Sequence, residues 1–166
     1  MSSLLLTPRQ FKSSFNLVPR LMIDILVLNK QDQFLLTRRG IEPEQGKWQI
    51  PGSFLLKNET IQECVARIGV EELGFTLSSN DCRLASVEED LADDPRGHIV
   101  HVIYKYRLLR DISLKPWGES AEMAFFSTIP QDMGFHYSEI LKKWYNVSFP
   151  NWHRGSDSRI PLIDIS

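Results

Sequence analysis

Residues 51–75, PGSFLLKNETIQECVARIGVEELGF, decide how the rest of the chain is read. On a helical wheel at roughly 100° per residue, Ile61, Cys64, Val65 and Ile68 form one apolar stripe, and Glu72 lands in the middle of it. An unpaired carboxylate on a packed face is very costly, so Glu72 needs a cation, hydrogen-bond donors or a metal. Thr60 followed by Glu63 is a capping-box pattern that starts a helix near Ile61. Gly74 stands where a helix C-terminal glycine belongs, so the spacing predicts one helix over 61–73. Gly69 inside it costs about 1 kcal/mol relative to alanine, which points to close packing there. Glu59, Glu63, Arg67 and Glu71 recur every four residues, which by itself describes a solvated, salt-bridged face. Arg67 lies one turn before Glu71 and is placed to orient the carboxylates.

Upstream, LMIDILVL at 21–28 has the length and β-branched content of a buried strand. Asp24 interrupts that run and needs a reason to be there, either a structural hydrogen bond or a ligand contact. A polar turn at 29–32 leads into FLLTR, so 21–38 reads as a hairpin. Gly40 to Gly46 is a loop, and Trp48-Gln49-Ile50 is a short strand closed by Pro51-Gly52. Downstream, 82–89, 98–109 and 122–127 read as strands, a helix can start at Ile129, and 136–146 is a further helical candidate. The acidic segment EEDLADDPRG between two of the strands reads as an exposed, mobile loop. His98 and His101 read as structural histidines, and the four tryptophans as packing, with one near the 51–75 segment able to stack on a base.

The chain has 166 residues, 42% apolar and 24% charged, the composition of an ordinary globular protein. One domain over 1–166 is expected, with a core at about 20–145 and a C-terminal tail at 146–166. A formal charge of -2 supplies no global attraction to nucleic acid or to an anionic membrane. Phosphate on a ligand would therefore have to be met by local cations or a metal. Two cysteines are too few for a disulfide framework. No apolar run approaches the ~20 residues that span a bilayer, and MSSLLLTPRQF lacks a basic leader. A cytoplasmic protein is the expectation.

The order glycine, glutamate, arginine, then Glu-Glu-x-Gly over a loop and a helix closely resembles the Nudix box, carried here by Gly52, Glu59, Arg67, Glu71, Glu72 and Gly74. The resemblance covers roughly residues 20–145 and implies an α/β fold, the Nudix α/β/α sandwich around a mixed sheet. It also implies hydrolysis of a nucleoside diphosphate derivative with Mg²⁺ (or Mn²⁺), by a homodimer. Two departures lie inside the box: Ser53 replaces its first glycine, and Ile68 and Gly69 replace the glutamate and aliphatic residue after the arginine. The branch that cleaves GDP-mannose to free sugar also lacks that glutamate, and FLLTRRGIEPEQGKWQIPG resembles it as well. By this resemblance Asp24 would face the sugar, Arg39 the diphosphate, and His98 the substrate. Gly52 (through its carbonyl), Glu71, Glu72 and Glu119 would hold the metal, while Glu119, Arg67 and Glu71 carry catalysis, Glu119 as ligand or as base. Ser120 stands where that branch has its catalytic histidine, and Phe54 where it has a second arginine. A nucleotide sugar is the expected substrate. The alternatives are an ordinary Nudix pyrophosphatase using Glu119 as base, and a nucleotide-binding protein that has lost catalysis.

Overall fold

The computed structural model describes residues 6–91 and 93–145. Seven strands make one mixed sheet: β1 (Arg20–Leu28), β2 (Phe34–Arg39), β3 (Trp48–Gln49), β4 (Gly52–Phe54), β5 (Arg83–Asp90), β6 (Ile99–Arg107) and β7 (Ser120–Phe126). Their main order is β3-β2-β1-β6-β5, with β4 added to β1 and β7 to β2. Only β1 and β6 run parallel, paired from Arg20↔Ile99 to Leu28↔Arg107, while the other pairings named are antiparallel. Being covered on both faces, β1 is a near-continuous apolar run. Ile23, Ile25 and Val27 pack on one face with Cys64, Val65 and Ile68. Leu26 and Leu28 pack on the other with Tyr137, Ile140 and Leu141. These two cores come from helix α2 (Ile61–Ile68) and helix α3 (Tyr137–Tyr145), so the sheet lies between helices as the box resemblance implies.

An additional helix, α1 (Pro8–Ser14), precedes the sheet and had no counterpart in the strand pattern. Its signal was nonetheless local: Thr7 and Gln10 form a reciprocal capping box, and Pro8 fits the first turn. Phe11 from this helix and Phe15 at its C-cap meet Phe54 with ring centroids 5.5 Å apart in each case. The Arg20 guanidinium lies 5.1–5.5 Å from all three rings.

Three expectations need correction. No helix starts at Ile129, because the backbone there is engaged elsewhere: Trp48 N–H donates to Asp132 O and Gly134 N–H to Trp48 O. The acidic segment is not simply exposed. Its Asp90 and Asp94 are buried, and their carboxylates accept from the N–H groups of Asp93 and Arg96. The helix predicted over 61–73 is α-helical only to Ile68 and then widens into a π turn, Gly69–Leu73, closed by Gly74 in the left-handed region. The tail 146–166 lies outside the described residues. Among those residues no helix is long and apolar enough to cross a membrane.

Candidate active site

The π turn sets the direction of Glu72. In a continued α-helix Glu72 would sit on the apolar stripe; the wider turn delays the phase, so Leu73 enters the core instead and Glu72 comes to rest half-buried beside it. Gly69 permits this because a Cβ there would meet Phe75 O at 2.7 Å and Leu77 N at 2.8 Å. The close packing expected at this glycine is thus present.

Over the π turn lies the segment before β7. At Gly118 a Cβ would strike the Glu71 carbonyl oxygen and approach Glu72 Cα at 3.7 Å. The next residue, Glu119, is fixed from the other side, where its carbonyl oxygen accepts from Gly40 N–H at 2.8 Å. Burial pushes the Glu72 carboxyl up to about 6, aided by the negative charges of Glu119 and Glu71. Such a carboxylate gains from a neighbouring cation.

Glu72 and Glu119 line a cavity of about 310 Å³ together with Gly52, Ser53, Ser120 and two arginines, Arg39 and Arg96. A bulge in the β2–β7 pairing between Arg38 and Arg39 re-aims the second of these. Arg39 donates from Nε to Pro43 O (2.6 Å) and from Nη1 to Gln49 Oε1 (3.0 Å). Burial, with Arg96 as a like charge nearby, lowers its pKa from the ordinary arginine value. Phe11 and Phe54 complete one apolar side of the cavity.

Arg67 is a brace. Its Nε and Nη2 grip both oxygens of Glu59 at 2.7 and 3.0 Å, Nη2 also donates to Phe54 O, and Nη1 donates to Ser53 Oγ and Glu71. All five guanidinium N–H groups are therefore spent on the protein. Burial raises the Glu59 carboxyl, but the hydrogen bonds from Arg67 and Leu56 N–H outweigh it and hold the group below its ordinary range.

A family model described as the NUDIX domain matches residues 18–133. The chain belongs to the Nudix hydrolase family. It is 28% identical over 125 residues to an ADP-ribose pyrophosphatase from Methanocaldococcus jannaschii, an alignment that covers 72% of each chain. Over 71 residues it is 37% identical to the low-salt glycan biosynthesis protein Agl8 of Haloferax volcanii, covering 43% of this chain and 44% of that one. Among solved structures, a MutT/nudix family protein from Enterococcus faecalis superposes with a TM-score of 0.68 at 21% identity, covering 85% of this chain and 69% of the other. The NUDIX domain of Shewanella oneidensis NrtR, complexed with ADP ribose, does so at 0.64 and 16% identity, covering 85% and 98%. At these identities the structures show the fold.

Against this Nudix framework the residues expected at the site divide. Gly52, Glu72, Glu119 and Arg39 come together in the cavity. Glu71 is on the adjoining surface, 3.5 Å from Arg67, and is not part of the cavity wall. His98 does not reach the cavity; its Nε2 pairs with Glu89 at 2.9 Å. Asp24 is fully buried behind the cavity wall, paired across the sheet with Gly52, and does not line the cavity itself; Tyr137 OH donates to its Oδ1 and His101 Nδ1 bonds Oδ2, each at 2.7 Å. Both Asp24 carboxylate oxygens are thus engaged in structural hydrogen bonds. Burial pushes His101 down, but the charges of Asp24, Asp90 and Asp94 outweigh it and raise the imidazole above its ordinary value. Trp117 lies against Gly74 as packing and does not line the cavity. Arg96 was missed, hidden in the acidic segment.

Among the described residues no three His, Cys, Asp or Glu side chains already converge as a metal cluster. Mg²⁺, however, is commonly held by one or two carboxylates plus substrate phosphates and waters. The raised Glu72 carboxyl with Glu119 beside it fits that mode of binding.

Proposed function

We propose that this Nudix protein hydrolyses the phosphoanhydride of a nucleoside diphosphate joined to a sugar, in a reaction that needs Mg²⁺ or Mn²⁺. One observation carries the reading: a single cavity holds two arginines, Arg39 and Arg96, with two carboxylates, Glu72 and Glu119. Cations suit a diphosphate, and the carboxylates suit a divalent metal that such a substrate would bring or share. The likeness to an ADP-ribose pyrophosphatase supports the same substrate class.

In this reading Glu72 and the Gly52 carbonyl bind the metal. When bound, the ion neutralises phosphate charge and acidifies water. Glu119, exposed and pinned through its backbone to Gly40, takes the proton from the attacking water. Arg39 holds phosphate oxygens, while Arg67 binds Glu59 and Ser53 and keeps the box loop against α2. Water oxygen joins one phosphorus, the bridging oxygen leaves on the other, and two phosphate monoesters result.

Cleavage of the sugar C–O bond, as in the GDP-mannose branch, draws less support. Asp24 and His98 do not reach the cavity, and at Ser120, which does, a hydroxyl replaces the branch's histidine. A binding protein without catalysis draws on one feature: Ile68, in place of the box glutamate, is completely buried in the core and offers no ligand. Incubation with Mg²⁺ and ADP-ribose, UDP-glucose or GDP-mannose in ¹⁸O-water separates these readings. The expected products are a nucleoside monophosphate and a sugar phosphate, with the label on phosphate. Free sugar plus nucleoside diphosphate would overturn the proposal in favour of C–O cleavage. Tight binding with no turnover would overturn it in favour of a binding protein.

A further inference from the structure

We propose that Arg96 is a diphosphate-binding residue of the cavity, delivered by the β5–β6 connection and held ready by buried Asp94; this deepens the functional reading above and rests on it. Arg96 lines the cavity although no helix or strand carries it. Its backbone N–H donates to Asp94 Oδ1 at 2.8 Å, Nε to the same oxygen at 2.9 Å, and Nη2 to Oδ2 at 2.6 Å. Asp94 is only 4% exposed, so this anchor is fixed in the protein interior. The guanidinium is centred 5.0 Å from the Phe54 ring and 5.0 Å from the Phe135 ring. Two aromatic faces and a carboxylate therefore define its position.

What distinguishes Arg96 is what it leaves unused. An arginine has five N–H donors. Arg67 spends all of its own on the protein, and Arg39 spends three, from Nε to Pro43 O, Nη1 to Gln49 Oε1 and Nη2 to Glu42 O. Arg96 spends only Nε and one Nη2 donor on Asp94, and its other three have no partner among the described residues. A guanidinium kept for packing alone would be expected to resemble Arg67. The remaining donors, two on Nη1 and one on Nη2, form a fork suited to two oxygens of a phosphate. Arg39 and Arg96 also stand close enough to repel, which an anion between them would relieve. The guanidinium lies on the ring of Phe54, a cavity residue more than forty positions earlier in the chain.

The test uses methylenediphosphonate, a non-hydrolysable diphosphate, titrated calorimetrically into the full chain with Mg²⁺. Wild type is expected to bind, Arg96→Ala to bind at least about tenfold more weakly, and Arg96→Lys to fall between, since an ammonium lacks the fork. Arg38→Ala, which removes a cation outside the cavity, should leave affinity unchanged. Circular dichroism checks folding; if Arg96→Ala does not fold, Arg96→Lys carries the comparison. Wild-type affinity in the folded Arg96 variants, or no binding by wild type, overturns the proposal. Loss of diphosphonate binding in Arg96→Ala, with no hydrolysis of any nucleotide sugar by wild type, would sustain the anion site and remove the hydrolase reading.

Discussion

Gly69→Ala sets two effects of known size against each other. In an exposed helix interior the change gains about 0.5–1 kcal/mol from backbone entropy and propensity. Here the new Cβ would lie 2.7 Å from Phe75 O, 2.8 Å from Leu77 N and 3.0 Å from Leu77 Cγ. The two nearest atoms are backbone, so no side-chain rotation removes the clash. Overpacking of this kind costs about 1–3 kcal/mol, so the net loss lies at about 0–2.5 kcal/mol, centred on about 1 kcal/mol. At about 2–4 °C per kcal/mol for a chain of this size, that central value lowers Tm by about 2–4 °C. Because the chain that must shift carries Glu72 three residues on, Mg²⁺-dependent turnover should fall by more than the loss of folded protein explains. Thermal melts followed by circular dichroism, with kinetics well below the new Tm, measure both. Gln62→Ala, on the exposed side of α2, is the control and should leave Tm nearly unchanged. A Gly69→Ala protein as stable as wild type would refute the claim that close packing holds the π turn.

Two further outcomes follow from the titrating groups. Glu72→Gln should abolish hydrolysis yet stabilise the metal-free protein at neutral pH. The folded-state pKa of Glu72, about 6, exceeds the ordinary 4.5, so the fold favours the protonated acid. Its contribution is fully favourable below pH 4.5 and is lost as pH rises through about 6. The stability advantage of the variant in EDTA should open across that window and level off at about 2 kcal/mol; a variant less stable than wild type at pH 8 would show that Glu72 gains from ionising. Tyr137→Phe removes one of the two bonds to buried Asp24 and should lower stability by about 1–3 kcal/mol in urea titrations while leaving KM unchanged. A raised KM at unchanged stability would return Asp24 to the substrate.

Much of this molecule could be read locally. The 21–28 run, the Thr60–Glu63 box and Gly74 each express a short-range rule, and each element appears where that rule puts it. The site was legible only in part, because long-range partners decide it. Asp24 is explained by His101 and Tyr137, which are 77 and 113 positions away. A helical wheel assumes one period, and the π turn at Gly69–Leu73 breaks it, so Glu72 reaches the cavity by a geometry the wheel does not describe. Arg96 sat unnoticed in an acidic stretch since composition cannot show that Asp94 would be buried beneath it. Glu71 and His98 match motif positions, and a motif is silent on which way each side chain turns: Glu71 turns toward Arg67 and His98 toward Glu89.

Helix α1 bears on how the family segment should be handled experimentally. The match spans 18–133, whereas Phe11 precedes it and Tyr137 follows it. One lines the cavity and the other caps the buried Asp24. A fragment trimmed to the matched segment would retain the whole box and still lose part of the pocket wall and an anchor of the core. The segment that the family match covers is therefore smaller than the unit that builds the cavity and its buried support.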